Sequence, residues 1–437
     1  MRQFRRIFLF TAGWLVTLTI VAQTTFNSPF SILGLGDLAG NQFARNSAMG
    51  GLSVSTRHPW FIDFANPASY TVRDTLSLVF DFGLNARYNV FENTTASDNT
   101  MDFNFHHFAF SFPIAKNVGM AFGILPFTQT NYILNEKIVE GDAGYDPNLG
   151  GLAYLFRGEG GTNQFFVGAG MKFFDHLSLG INVKYIFGEI KRIHSLTYLD
   201  NPNAFNTKIE DRILVSDFTF DAGLQYHKKW GKENTLTLGL TAGNNKNIRF
   251  SEERLEFGVL ASSNGSVYND TISFNRLYNE KMFIPYYLGG GLSINLGQKV
   301  RAGLEYYQQD WSRSQIPFSH DSLTTSRVIR FGTEFIPNPR ELRKYWKLVQ
   351  YRAGIHYGNS YVLVNQQPVT DFGISFGVGL PILGGNIQGF RKWSIFSITF
   401  GTGWRGSVDK NFMREQYNFV NFGLSFNDVW FIKRKYL

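Results

Sequence analysis

From residue 75 onward the chain alternates apolar residues with small or polar ones in fourteen separate stretches. In one, Leu76, Leu78, Phe80, Phe82 and Leu84 interleave with Ser77, Asp81, Gly83 and Asn85. Leu177, Leu179, Ile181, Val183 and Tyr185 repeat the pattern, as do Phe372, Ile374, Phe376, Val378 and Leu380. A period of two gives a strand one apolar and one polar face. The stretches lie near 75–90, 103–113, 117–132, 163–174, 176–190, 211–227, 234–246, 281–295, 299–310, 323–336, 348–358, 369–380, 392–404 and 415–427. Their connectors run short and long in turn. The short set is 113–116, 174–176, 228–233, 297–298, 337–347 and 381–391. The long set is 91–102, 133–162, 191–210, 247–280, 311–322, 359–368 and 405–414. An even strand count with short turns on one side predicts an all-β fold: a fourteen-stranded antiparallel transmembrane β-barrel in an outer membrane.

In that fold the apolar face meets lipid, the polar face meets the lumen, and the short turns face the periplasm. A soluble β-sandwich needs shorter strands whose apolar faces pack together. Many stretches here reach ten residues or more, near the length for a tilted bilayer crossing. Trp230, Trp311, Trp346, Trp393, Trp404 and Trp430 sit at stretch ends, as an interfacial girdle requires. The run from Pro337 to Arg343 is expected to cap a short periplasmic helix.

Residues 1–23 read as a signal peptide, with basic Arg2, Arg5 and Arg6, an apolar run to Val21, and small residues at the end. Residues 24–74 do not alternate; Gly, Pro, Asn and Ser interleave with apolar residues. Irregular backbone is tolerated at membrane depth where protein encloses it. This segment is therefore expected to be an N-terminal hatch, or plug, in the lumen of a barrel formed by residues 75–437.

Without cysteine the chain has no disulfides, thiolate metal sites or cysteine nucleophiles. The net charge of +8 falls to +5 once the three leader arginines are removed, which does not indicate nucleic acid. No GxSxG, HExxH or phosphate-binding loop occurs, and no cofactor motif is found, so an enzyme is not expected. His106 and His107 are adjacent, so a regular strand points them to opposite sides. The apolar phase shifts from Phe103 and Phe105 to Phe108, Phe110 and Phe112, which predicts a bulge there.

Alternation also turns Lys184, Asp221, Glu305, Arg330, Glu334, Arg352 and His356 toward the lumen. Neighbouring strands then carry opposite charges: Lys184 with Asp221, Glu305 with Arg330, Glu334 with Arg352. Such pairs avoid a lone charge in a low dielectric. Arg330, Arg352 and His356 read either as members of bracing ladders or as a head-group site for a carboxylate.

Ala48-Met49-Gly50-Gly51, followed by Asn66-Pro67-Ala68, resembles the amino-terminal hatch of the FadL outer-membrane transporter family. Gly332-Thr333-Glu334-Phe335, Tyr351-Arg352-Ala353-Gly354 and Phe376-Gly377-Val378-Gly379 resemble its carboxy-terminal strands in order and spacing. The resemblance implies carriage of long-chain fatty acids or aromatic hydrocarbons through a fourteen-stranded barrel, with Asn66, Pro67 and Ala68 in the gating hatch. It also implies an inward kink of the third strand that opens a lateral gap. Pro126, which cannot donate to a ladder, marks that place together with Gly123.

The short connectors and the tail hold thirteen basic residues against Asp175, Glu233 and Glu341. Such a rim favours anionic outer-membrane lipids or an acidic periplasmic or outer-membrane protein partner. Lys433, Arg434 and Lys435 extend it into a tail suited to docking. Two functions follow as expectations. One is passive, hatch-gated movement of a hydrophobic small-molecule ligand with lateral exit near strand three. The other is a plugged, non-transporting barrel within an outer-membrane secretion or assembly complex.

Overall fold

A computed structural model describes residues 28–429, apart from 41, 202–203, 232, 262–266, 318–320, 342, 388–389 and 412. The leader, Trp430 and the tail of Lys433, Arg434 and Lys435 lie outside the described residues. The first strands are β1 (Asp37–Leu38), β2 (Ser77–Glu92), β3 (Ser97–Ala115), β4 (Val118–Gln129), β5 (Tyr132–Ile138) and β6 (Leu152–Phe173). Next come β7 (Leu177–Tyr198), β8 (Asn206–Trp230), β9 (Asn234–Gly243), β10 (Lys246–Ala261), β11 (Val267–Ile284) and β12 (Tyr287–Leu296). The last are β13 (Val300–Asp310), β14 (Thr325–Phe335), β15 (Gln350–Val364), β16 (Gln367–Ile387), β17 (Phe390–Ser407) and β18 (Met413–Val429).

Fourteen strands, β2 to β4, β6 to β9 and β12 to β18, pair antiparallel in order, and β18 returns to β2 to close the barrel. These are the fourteen stretches read from the alternation. Strand β8 displays the cause: Ile213, Val215, Asp217, Thr219 and Asp221 are buried, while Leu214, Ser216, Phe218 and Phe220 between them are exposed. From Asp217 to Asp221 the apolar side chains face outward and the polar ones inward, the reverse of a soluble core, while Ile213 and Val215 farther out join an inner apolar cluster.

The long connectors are more ordered than the alternation indicates. Residues 133–162, 191–210 and 247–280 mostly continue as strand, and β5, β6, β7, β8, β10 and β11 pair in that order as one sheet beyond the wall. Two expectations are corrected. Trp311 does not join a girdle: it is 0% exposed and packs at 4.9 Å on Tyr361 in an inner apolar cluster. The only helical turn in 337–347 among the described residues is Tyr345–Lys347, beyond the prolines rather than capped by them.

The described residues between 28 and 73 pack against the inward faces of the wall strands at three seats. A 3-10 turn, Pro29–Ile32, puts Phe30 with Leu35 into a cluster that includes Ile190, Ile213, Ile248, Met282 and Trp311. The turn at residues 48–51 rests on β14 and β15: a Cβ on Gly354 would stand 2.1 Å from the Gly50 nitrogen. A second 3-10 turn, Pro67–Val72, rests on β6, β7 and β8, where a Cβ on Gly180 would stand 2.4 Å from the Pro67 carbonyl carbon. Glycine at these wall positions is what allows backbone to touch backbone.

Candidate functional site

The inward phase of the strands brings charge to the face of the enclosed segment. Glu334 on β14 is nearly fully buried and binds three guanidinium groups: Arg301 at 2.6 Å, Arg352 at 2.8 Å and Arg45 of the enclosed segment at 3.3 Å. Arg352 also donates to Ser397 at 3.0 Å and to Gln350. Lys184 meets Asp221 at 2.8 Å. Two of the three cross-strand pairs thus form. Glu305 departs from expectation, because its carboxylate accepts from the Ser53 and Ser55 backbone N–H groups, both at 2.8 Å, and from the Ser55 hydroxyl. Both oxygens are spent on the enclosed segment rather than on Arg330. In that segment, burial, with Arg301 and Arg45 close by, holds the His58 imidazole well below its usual range.

Asn66 is the most connected residue of the Asn-Pro-Ala element. Its side-chain oxygen accepts from the Ala68 N–H at 3.1 Å and so caps the 3-10 turn begun by Pro67. Its amide donates to the carbonyls of Val54 at 2.8 Å, Leu240 at 3.2 Å and Leu224 at 3.3 Å. One side chain therefore joins two parts of the enclosed segment to β8 and β9.

A cavity of about 390 Å³ remains between the enclosed segment and the wall. Its lining includes Arg87, Arg330, His356, Asp371, Arg405 and Tyr417. His356 shares a hydrogen bond of 3.0 Å with the Tyr417 hydroxyl, which donates to Asp371 at 2.7 Å. Arg405 donates to both oxygens of Asp37 at 2.9 Å, and Arg87 meets Glu415 at 2.9 Å. Arg330 lies 5.8 Å from the Tyr307 ring and has no hydrogen-bond acceptor among the described residues. The structure therefore separates the three expected head-group residues. Arg330 and His356 border the cavity, whereas Arg352 is committed to Glu334. Arg87, Arg405, Asp371 and Tyr417 escaped the sequence reading, although each stands in the inward phase of its strand.

Beside the cavity the wall is interrupted. The ladder between β3 and β4 runs from Ala115↔Val118 to Phe108↔Ile124 and stops, one residue past Gly123. From Leu125 on, β4 keeps its pairing with β6, shifts register between Pro126 and Thr128, and at Thr128 and Gln129 takes β1 as its other neighbour. A strand of the enclosed segment thus stands where β3 would be. On β3 beyond the break, Met101, Phe103 and Phe105 are exposed. The expected bulge is there too, with Gly83 opposite His107 and Leu84 opposite Phe105. It overturns the expectation that the two histidines diverge. Their Nδ1 atoms lie 2.9 Å apart, His107 meets Asp81 at 2.8 Å, and His106 borders the cavity.

At the short-turn rim, Arg340 pairs with Glu233 at 2.5 Å and Lys347 with Glu341 at 3.3 Å. No cluster able to hold a metal ion occurs among the described residues.

Solved structures resemble this architecture at low identity. A Pseudomonas aeruginosa FadL homologue is 12% identical, covering 91% of this chain and 100% of its own, with a TM-score of 0.57. The toluene transporter TbuX of Ralstonia pickettii is 14% identical, with 91% and 100% covered and a TM-score of 0.55. The toluene transporter TodX of Pseudomonas putida is 13% identical, with 90% and 99% covered and a TM-score of 0.55. At such identities the likeness is one of fold. No curated protein matches the sequence. The expected likeness to the FadL family holds for the fold of the barrel, while the family whose model matches the sequence, over residues 4–437, is BamG, and to the BamG family this chain belongs.

Proposed function

We propose that this chain is an outer-membrane barrel that lets a hydrophobic small molecule with an acidic head move passively down its gradient. The observation that carries the reading is the interrupted wall, where β4 leaves β3 beyond Gly123, shifts register past Pro126 and pairs with β1. A passenger enters from the outer side, rests its head against Arg330 and His356, and leaves sideways past Met101, Phe103 and Phe105. Residues 24–74 act as the hatch, with Asn66, Pro67 and Ala68 as its anchor on the wall. Two of the similar barrels are described as toluene transporters, which fits a lipophilic passenger.

The test is native mass spectrometry of the protein purified from its own membrane in mild detergent. A retained small lipophilic adduct, lost in Arg330→Gln or on deleting residues 24–70, is the expected result. Stoichiometric protein partners without such an adduct would refute transport. That outcome would favour the second reading, a plugged barrel serving as a subunit of an envelope complex. One observation supports it: at the outer end of the lumen the chain's own Phe30, Leu35 and Trp311 fill the apolar space a passenger would use. On this reading the basic rim and the tail of Lys433, Arg434 and Lys435 dock the partner, and deleting 433–437 releases it.

A further inference from the structure

Outside the wall, β5, β6, β7, β8, β10 and β11 rise as a six-stranded sheet, and β11 is its last strand. Among the described residues β11 pairs with β10 and with no strand on its other side. Nine of the ten residues from Thr271 to Glu280 are exposed, so neither loop nor wall among the described residues covers them. Ile272 is 66% exposed, Phe274 56% and Tyr278 60%, with Leu277 beside them. Soluble surfaces rarely gather bulky apolar side chains on a bare strand edge, because such an edge templates further pairing.

Lipid does not account for this patch. Exposed ion pairs, Arg157 with Glu159 at 2.7 Å and Arg212 with Glu189 at 3.9 Å, mark where the outer wall has left the hydrocarbon. Through the ladder, Leu277 stands opposite Glu252 and Glu252 opposite Ile213, next to Arg212. Phe274 and Ile272 are farther out along the same strand. A second copy in the same membrane fits poorly as well. The two-fold axis of such a dimer lies along the membrane normal, so β11 would meet its own copy running in the same direction. A strand of a different protein is free to run antiparallel, the stronger arrangement.

We infer that the outer edge of β11 is a docking surface for an extended segment of another protein on the outer side of the membrane, apolar at alternate positions. Register shifts between Phe250 and Glu252 and between Glu256 and Phe257 bound a regular ladder at 273–277. The segment adds a short strand there by main-chain hydrogen bonds, while Ile272, Phe274 and Tyr278 bind its side chains. This surface is independent of what passes through the lumen.

The experiment places a photo-crosslinking benzoylphenylalanine at Phe274, at Tyr278 and, as control, at Thr94 in the exposed turn between β2 and β3, in intact cells. The expected result is one protein adduct common to the first two positions and missing from the third. Its crosslinked residues should fall within a single extended segment. The doubly substituted Ile272→Glu, Phe274→Glu protein, checked for unchanged heat-dependent gel mobility, should lower the wild-type complex about tenfold. An adduct of twice the chain's mass, lipid adducts alone, equal labelling at Thr94, or no adduct would each overturn the inference.

Discussion

Replacing Glu334 with Gln tests whether the ion cluster, rather than apolar packing, holds the enclosed segment. The substitution keeps shape and volume but leaves Arg45, Arg301 and Arg352 without their shared carboxylate. At an effective dielectric of about 20, a cation at roughly 4 Å contributes about 4 kcal/mol of attraction. Desolvation of the buried carboxylate offsets several kcal/mol of the summed attraction, and breaking one member of a buried pair typically costs about 3–5 kcal/mol. Only Arg45 belongs to the enclosed segment, so the loss appears mainly in the docking of that segment. It corresponds to roughly two to three and a half decades in the docking equilibrium. The assay is a urea titration in lipid vesicles. Protease cleavage within residues 28–76 reports the enclosed segment, and heat-dependent gel mobility reports the wall. Arg45→Met added to Glu334→Gln should restore part of the loss, because it removes one unbalanced cation. A loss under about 1 kcal/mol, the size expected of an exposed pair, would refute the claim that this cluster is desolvated.

Three further outcomes are expected. Asn66→Asp keeps the cap on Ala68 but turns a buried carboxylate oxygen toward the carbonyls of Val54, Leu224 and Leu240, so it should destabilise the enclosed segment at least as much as Asn66→Ala, which costs about 1–3 kcal/mol; hydrogen exchange at residues 66–72 checks this. Gly354→Ala brings a methyl group against the Gly50 backbone and should unseat the 48–51 turn, raising protease access there while Gly231→Ala, in an exposed turn, leaves that access unchanged. Because folding lowers the His58 pKa, its contribution to the stability of the enclosed segment should be constant above its ordinary value of 6.5 and fall as pH drops below it, by at most about 1.4 kcal/mol per unit. His58→Gln should flatten that slope in the same titration.

The wall was legible because lipid and lumen impose opposite demands on alternate residues, as in Leu214, Phe218 and Phe220 against Asp217, Thr219 and Asp221. Where β7 continues past the bilayer as Lys191-Arg192-Ile193-His194, no lipid demands an apolar outer face, adjacent Arg192 and Ile193 are both buried, and the alternation that marks a strand fades. The interval from 247 to 280 reads as a loop for the same reason, although it folds into the β10–β11 hairpin. Partner choice inside the lumen was harder to read. Alternation placed Glu305 and Arg330 on facing positions, which the register confirms. It carries no information about the Ser53 and Ser55 backbone that competes for the carboxylate. Trp311 misled because a tryptophan at a strand end meets the same composition rule whether it faces lipid or an inner apolar cluster. The His106 bulge was found from a phase slip, but the slip alone does not say which face gains the extra side chain.

The glycine seats carry a consequence for biogenesis. Residues 28–76 run straight into β2, and β2 is the strand that meets β18 at the closing seam. At Gly180 and Gly354 the wall and the enclosed segment touch through bare backbone, with no flexible side chain to swing aside. Such a segment does not slide into a finished ring. Its seating belongs to the step that zips β2 to β18, so the barrel forms around its own filling, and a lesion in either seat delays closure of the ring itself.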